Sequence, residues 1–125
     1  MLNGLLLAVW IGSVFLMLSN GVVETPTDKA LAEIRTYEYE RGQNDMGFAR
    51  TLKVGNCIAL SEILQEELWE GGMDSRIIIG KAGTPHAWVE DEEGFWLEAT
   101  TGKYVFKTQY YEPTIIGKWK SEING

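Results

Sequence analysis

Three side chains of this 125-residue chain are of the types that carry nucleophilic chemistry, and each falls where one expected element meets the next. Cys57 opens a segment with a helical apolar stripe. A thiol attacks only as thiolate, and the partial positive charge of a helix N-terminus lowers its pKa. His86 is the single imidazole, so any histidine-dependent proton transfer must use it. Glu98, on the next alternating run, can accept the second imidazole N–H and so orient the ring. Each residue also has a plainer role: a small buried thiol, a hydrogen-bonded strand histidine, a solvated carboxylate. Taken together they make a nucleophile, a base and an orienting acid.

A hairpin must position the last two. His86-Ala87-Trp88-Val89-Glu90 and Phe95-Trp96-Leu97-Glu98-Ala99 both alternate, and Asp91-Glu92-Glu93-Gly94 reads as the turn between them. Strand side chains alternate faces, so a loop with an odd number of residues puts His86 and Glu98 on one face. The loop Asp91-Glu92-Glu93 sets them directly opposite. The loop Glu92-Glu93-Gly94, with Gly94 left-handed, sets them one diagonal step apart. Ala87, Val89, Leu97 and Ala99 then form the other, apolar face. Trp88 and Trp96 flank the polar pair and are expected to wall a cleft.

Helices precede the hairpin. Thr25, Pro26 and Asp28 read as a cap, a first turn and a capping carboxylate. Leu31, Ile34 and the pair Tyr37/Tyr39 follow at roughly helical spacing up to Gly42, and residues 43–47 read as a polar loop. Asn56 precedes the strongest helix, Cys57 to Glu70, whose Leu60, Ile63, Leu64 and Leu68 make one stripe ended by Gly71-Gly72. Ile77-Ile78-Ile79 reads as a strand buried on both faces, and Tyr104-Val105-Phe106 and Thr114-Ile115-Ile116 as further strands. Helices followed by an antiparallel sheet give the α+β class.

Composition narrows the function. Eighteen acids against 11 bases leave a charge of −7, which argues against sequence-independent nucleic-acid binding. One Cys and one His fall short of a four-ligand structural zinc site, one Cys forms no internal disulfide, and nothing calls for an organic cofactor. Residues 2–18 contain no charge and would span about 25 Å as a helix, close to a hydrocarbon core of roughly 30 Å. They read as an N-terminal hydrophobic helix, either the apolar region of a signal peptide or a membrane anchor, with a buried core helix as the alternative. Residues 1–20 are thus expected to export or anchor the protein, on an undetermined side of the membrane. Residues 21–125 are expected to form one domain.

The segments Gly55-Asn56-Cys57, Gly72-Met73-Asp74-Ser75-Arg76-Ile77-Ile78-Ile79-Gly80, His86-Ala87-Trp88-Val89-Glu90 and Gly94-Phe95-Trp96-Leu97-Glu98-Ala99-Thr100 come in the order found in one superfamily. Over residues 51–102 the chain resembles the transglutaminase-like core, which has a Gly-x-Cys helix start, an Arg-bearing strand, a His-Ala-Trp-x-Glu strand and a strand ending in Asp-x-Thr. The resemblance implies a papain-like cysteine fold with Cys57 as nucleophile, His86 as base and acid, and Glu98 in place of the family's Asp. It also implies an oxyanion site. The backbone N–H of Cys57 is one donor, and Gln43, Asn44 and Asn56 are the upstream side-chain amides that could add another. The expected chemistry is amide cleavage through an acyl-thioester on a peptide or protein substrate, with hydrolysis favoured over cross-linking transfer because so small a domain has little surface for excluding water. A catalytically inactive binding or assembly module of the same fold is the alternative.

Overall fold

The computed structural model describes residues 23–124, so the expected hydrophobic segment 2–18 lies outside the described residues. Among these, no helix is long and apolar enough to cross a membrane.

Helix α1, Pro26–Ile34, starts as its sequence requires. Thr25 caps it, and the Thr25 side chain and Asp28 carboxylate exchange hydrogen bonds with each other's backbone N–H at 3.0 and 3.1 Å. The helix stops earlier than the tyrosine spacing suggests. Tyr37 and Tyr39 do not extend it; Glu38–Tyr39 instead form a short strand, β1, parallel to β2, Val54–Gly55. The Glu38 and Glu40 N–H groups donate to the Lys53 and Gly55 carbonyls, a ladder that an extended helix would forfeit.

The expected loop 43–47 is also corrected. Asp45 accepts the Phe48 N–H at 2.9 Å and thereby starts a second helix, α2, Met46–Leu52. Its end returns the chain to β2 and the main helix.

That helix, α3, spans Cys57–Glu70, as expected, with the Asn56 side-chain Oδ1 accepting the Ala59 N–H at 3.0 Å. Leu60, Ile63, Leu64 and Leu68 are fully buried, packed with Val89, Leu97, Ala99 and the α1 residues Leu31 and Ile34. Each such side chain contributes roughly 1.5–3 kcal/mol by leaving water. This burial fixes the helix on the sheet.

The sheet comprises β3 (Ser75–Ala82), β4 (Thr84–Asp91), β5 (Trp96–Glu98), β6 (Lys103–Val105) and β7 (Tyr111–Ile116). All neighbours are antiparallel, in the order β6-β5-β4-β3-β7. A short helix, α4, Lys120–Asn124, follows. One face carries Val89, Leu97 and Ala99 against α3, with Ala87 buried on the same side, as the alternation requires. The other carries Ile78, Trp88 and Trp96, with Val105 and Tyr111 packed on them. Among the described residues no helix covers this second face, yet Ile78 on it is buried by the aromatic rings; β3 is not buried on both sides because Ile79, which pairs with Ala87 on the opposite face, is 39% exposed. The architecture is α+β, with helices on one side of an antiparallel sheet.

Gly80 sits where β7 departs from regular register with β3. A Cβ there would collide with the Glu112 carbonyl oxygen, so only glycine lets β7 approach this closely. The approach brings Tyr111 over the sheet next to His86 and Glu98.

Candidate active site

The turn between β4 and β5 settles which loop the hairpin uses. Asp91 remains in β4, its N–H donating to the Phe95 carbonyl at 3.0 Å, and Gly94 adopts φ 91°, where L-residues are disfavoured. The Asp91 carboxylate holds the turn from inside: it is fully buried and accepts the Glu93 and Phe95 N–H groups at 3.0 Å and the Thr27 hydroxyl at 2.9 Å. The loop is therefore Glu92-Glu93-Gly94. The register pairs Val89 with Leu97 and Glu90 with Trp96. Continued, it sets Trp88 opposite Glu98 and leaves His86 one diagonal step away. Glutamate is long enough to close that step.

The imidazole Nε2 of His86 is hydrogen-bonded to Glu98 Oε2. The carboxylate is held in turn by two hydroxyls. Thr100 donates to Oε2 at 3.1 Å and Tyr111 donates to Oε1 at 2.8 Å. Neither had been singled out for this role. Thr100 follows Glu98 by two residues and was visible in the local pattern, whereas Tyr111 arrives from the opposite edge of the sheet with no local signature.

Cys57 stands at the first position of α3, against the beginning of β4. Its thiol lies close to the His86 ring and to the Ala87 and Ile58 backbone N–H groups, and all three favour its ionised form. With Nε2 taken by Glu98, Nδ1 is the ring nitrogen left for the thiol. The hydrogen bond to His86 outweighs burial and holds the thiol below its ordinary pKa. His86 is raised to about 9, by Cys57 first and Glu98 second, against the opposing effect of burial. Burial pushes the Glu98 carboxyl up, but the His86 imidazolium and the two hydroxyls prevail and its pKa falls. These directions favour a thiolate–imidazolium pair supported by a carboxylate. Such a site is nucleophilic without further activation.

The cleft has two parts. A depression of about 530 Å³ contains His86, Glu98, Thr84, Thr100, Tyr110 and Tyr111. A second, also about 530 Å³, contains Cys57, Asn56, Arg41, Thr84 and Pro85. Tyr39 lines both, so they lie side by side across the thiol–imidazole contact. The His86 side chain keeps 18% of its surface, and water reaches it.

The remaining expected site residues are placed differently. Trp88 is fully buried and Trp96 nearly so, and neither lines the cleft. Instead of walling it they lie beneath it: Trp88 stacks with the His86 ring at 6.2 Å and packs against Trp96 and Tyr111. The rings on that face bury one another, Trp88 and Trp96 packing together and Tyr111 meeting both edge-on. The Cys57 backbone N–H, at the first helical position, has no intrahelical acceptor and remains a donor for an oxyanion. Gln43 is brought to the helix start through its main-chain oxygen, which accepts the Asn56 N–H at 2.7 Å. Its side-chain oxygen accepts the Asp45 N–H at 3.2 Å. Asn44 is exposed, and neither residue lines the cleft. Asn56 does line it, but its carboxamide is engaged by the Ala59 N–H and the Arg41 carbonyl. Among the described residues no cluster of His, Cys, Asp and Glu has metal-binding geometry.

Comparison with protein-family models, with characterised proteins and with solved structures returns no match.

Proposed function

We propose that this protein cleaves amides through an acyl-thioester on Cys57, as a cysteine hydrolase of transglutaminase-like, papain-like type. The observation that carries the reading is the continuous contact Cys57–His86–Glu98 at a helix start. The Cys57 thiolate attacks the carbonyl carbon, and an S–C bond forms. The Cys57 N–H faces the developing oxyanion. His86 then donates its proton to the leaving nitrogen as the C–N bond breaks, releasing ammonia or an amine. Water, losing a proton to His86, attacks the thioester; the S–C bond breaks and the thiolate returns with a carboxylic acid product. Glu98 keeps its charge throughout and holds the ring in one tautomer.

Hydrolysis is the favoured outcome over transfer to a second amine. The cleft is open, and His86 retains solvent contact from which water can enter. Residues 2–18 belong to the same proposal as an exporting or anchoring segment that delivers this chemistry to or across a membrane.

The test uses the full chain and a mixture of unmodified peptides, with mass spectrometry following both new termini and an acyl adduct on Cys57. The reading expects cleavage, a transient adduct, and loss of both in Cys57→Ala and in His86→Ala. The double variant should be no worse than either single one, because the two residues act as a unit. Near-full cleavage in either single variant would remove the pair from the mechanism.

A further inference from the structure

We infer that the substrate's acyl portion carries a carboxylate, and that Arg41 receives it; the inference rests on the amide-cleaving reading above. The reaction itself assigns the two halves of the cleft. The leaving nitrogen takes its proton from His86, so the amine portion lies in the depression that contains His86 and not Cys57. The acyl portion, bonded to the sulfur, extends through the depression that contains Cys57 and not His86. Arg41 lines that second depression. It is the one ionic side chain in either half apart from the triad itself, in a chain whose charge is −7.

Two further observations mark Arg41 as a recognition group. Among the described residues its guanidinium makes neither an ion pair nor a hydrogen bond, whereas those of Arg35, Arg50 and Arg76 are all engaged. Its backbone is nevertheless fixed, because the Arg41 carbonyl accepts the Asn56 side-chain N–H at 3.3 Å. Asn56 is the residue that caps the helix bearing the nucleophile. An exposed guanidinium whose backbone is held by the same cap as the thiol, with no carboxylate partner among the described residues, is a fork-shaped donor for a substrate carboxylate.

Cys57 is the only cysteine, so alkylation of the full chain reports on it alone. The probes are iodoacetate, which brings a carboxylate, and iodoacetamide, its neutral counterpart. The readout is the ratio of their second-order rate constants at low salt and neutral pH. Arg41→Gln should lower that ratio roughly three- to fivefold, the worth of one exposed charge pair, and Arg41→Glu should lower it further. Arg41→Lys should recover most of the ratio, and about 1 M salt should compress the differences. His86 acts on both reagents in every variant and drops out of the comparison. Fast alkylation with a ratio independent of residue 41 would overturn the role of Arg41 while leaving the activated thiol standing. Slow alkylation by both reagents in the unmodified chain would overturn the amide-cleaving reading and this inference with it.

Discussion

Replacing Glu98 by glutamine removes one charge from the group that fixes His86 and leaves the side-chain volume in place. His86 holds its proton to about pH 9 instead of 6.5, a difference equivalent to about 3 kcal/mol in favour of the imidazolium. Cys57 is the larger cause and Glu98 the second, so loss of the Glu98 charge removes the smaller part of that preference. The amide adds a further penalty. The two carboxylate oxygens accept from His86, Thr100 and Tyr111, but a glutamine offers one oxygen and must turn its NH₂ toward a donor. If the NH₂ faces Nε2, the ring is driven into the other tautomer, which costs about 10⁴-fold in a serine triad. Glu98→Gln should therefore lose between about 10-fold and 10⁴-fold in kcat/KM. Glu98→Asp is the sharper test. The register makes Glu98 reach diagonally across the ladder to His86, and removing one methylene withdraws the carboxylate by about 1.5 Å. That exceeds the tolerance of a hydrogen bond, so aspartate should lose activity as well. The assay is kcat/KM on an amide substrate together with the iodoacetamide rate, each across about pH 5 to 10. An unchanged rate in Glu98→Ala at every pH would show that Cys57 and His86 act as a dyad. Aspartate matching or exceeding glutamate would refute the diagonal-reach argument.

Tyr111→Phe should lower kcat/KM roughly tenfold, because it deletes a 2.8 Å hydrogen bond that positions a buried carboxylate; the alkaline limb of the pH profile should move up, because Glu98 relieved of that donor holds the His86 proton more strongly, a shift that a purely structural tyrosine would not cause. The pH profile of kcat/KM in the unmodified chain should be bell-shaped. Its acid limb should lie below the ordinary thiol range because the Cys57 pKa is lowered, and its alkaline limb near pH 9, where the raised His86 loses the proton required by the leaving amine. Leu64→Ala, at a fully buried position on the α3 stripe, should cost about 2–5 kcal/mol of unfolding free energy in urea titration, and a cost below about 1 kcal/mol would contradict the packing described.

The parts of the site that follow from local rules were legible in the sequence. The Asn56 cap, the leucine stripe and the Gly71-Gly72 stop define α3, so Cys57 had to stand at a helix start. Strand alternation put His86 and Glu98 on one face before the register was known. The choice between direct and diagonal pairing was not legible. It depends on Asp91 being buried under α1, where Thr27 meets it from 64 positions away in sequence. Tyr111 was hidden for the same reason: it reaches Glu98 only because β7 pairs with β3 and Gly80 lets it come close. The helical reading of Tyr37 and Tyr39 failed because β1 finds its backbone partners in β2, a pairing that spacing does not encode. Helix α2 was missed because one capping aspartate before Met46-Gly47 looks like loop until its hydrogen bond is seen. The tryptophans were assigned to the correct face but to the wrong depth, since the sequence does not tell which face lacks a helical cover.

The central claim is that Cys57 is held as a thiolate by His86. The most direct test is the pH dependence of iodoacetamide alkylation of the full chain, compared with His86→Ala. With one cysteine, no other thiol contributes. The structure predicts rapid alkylation that is already near its plateau below the ordinary thiol range, and in His86→Ala a midpoint that moves up toward about 8.5. Superimposable curves, or an unmodified chain whose rate rises only through the ordinary thiol range, would contradict it.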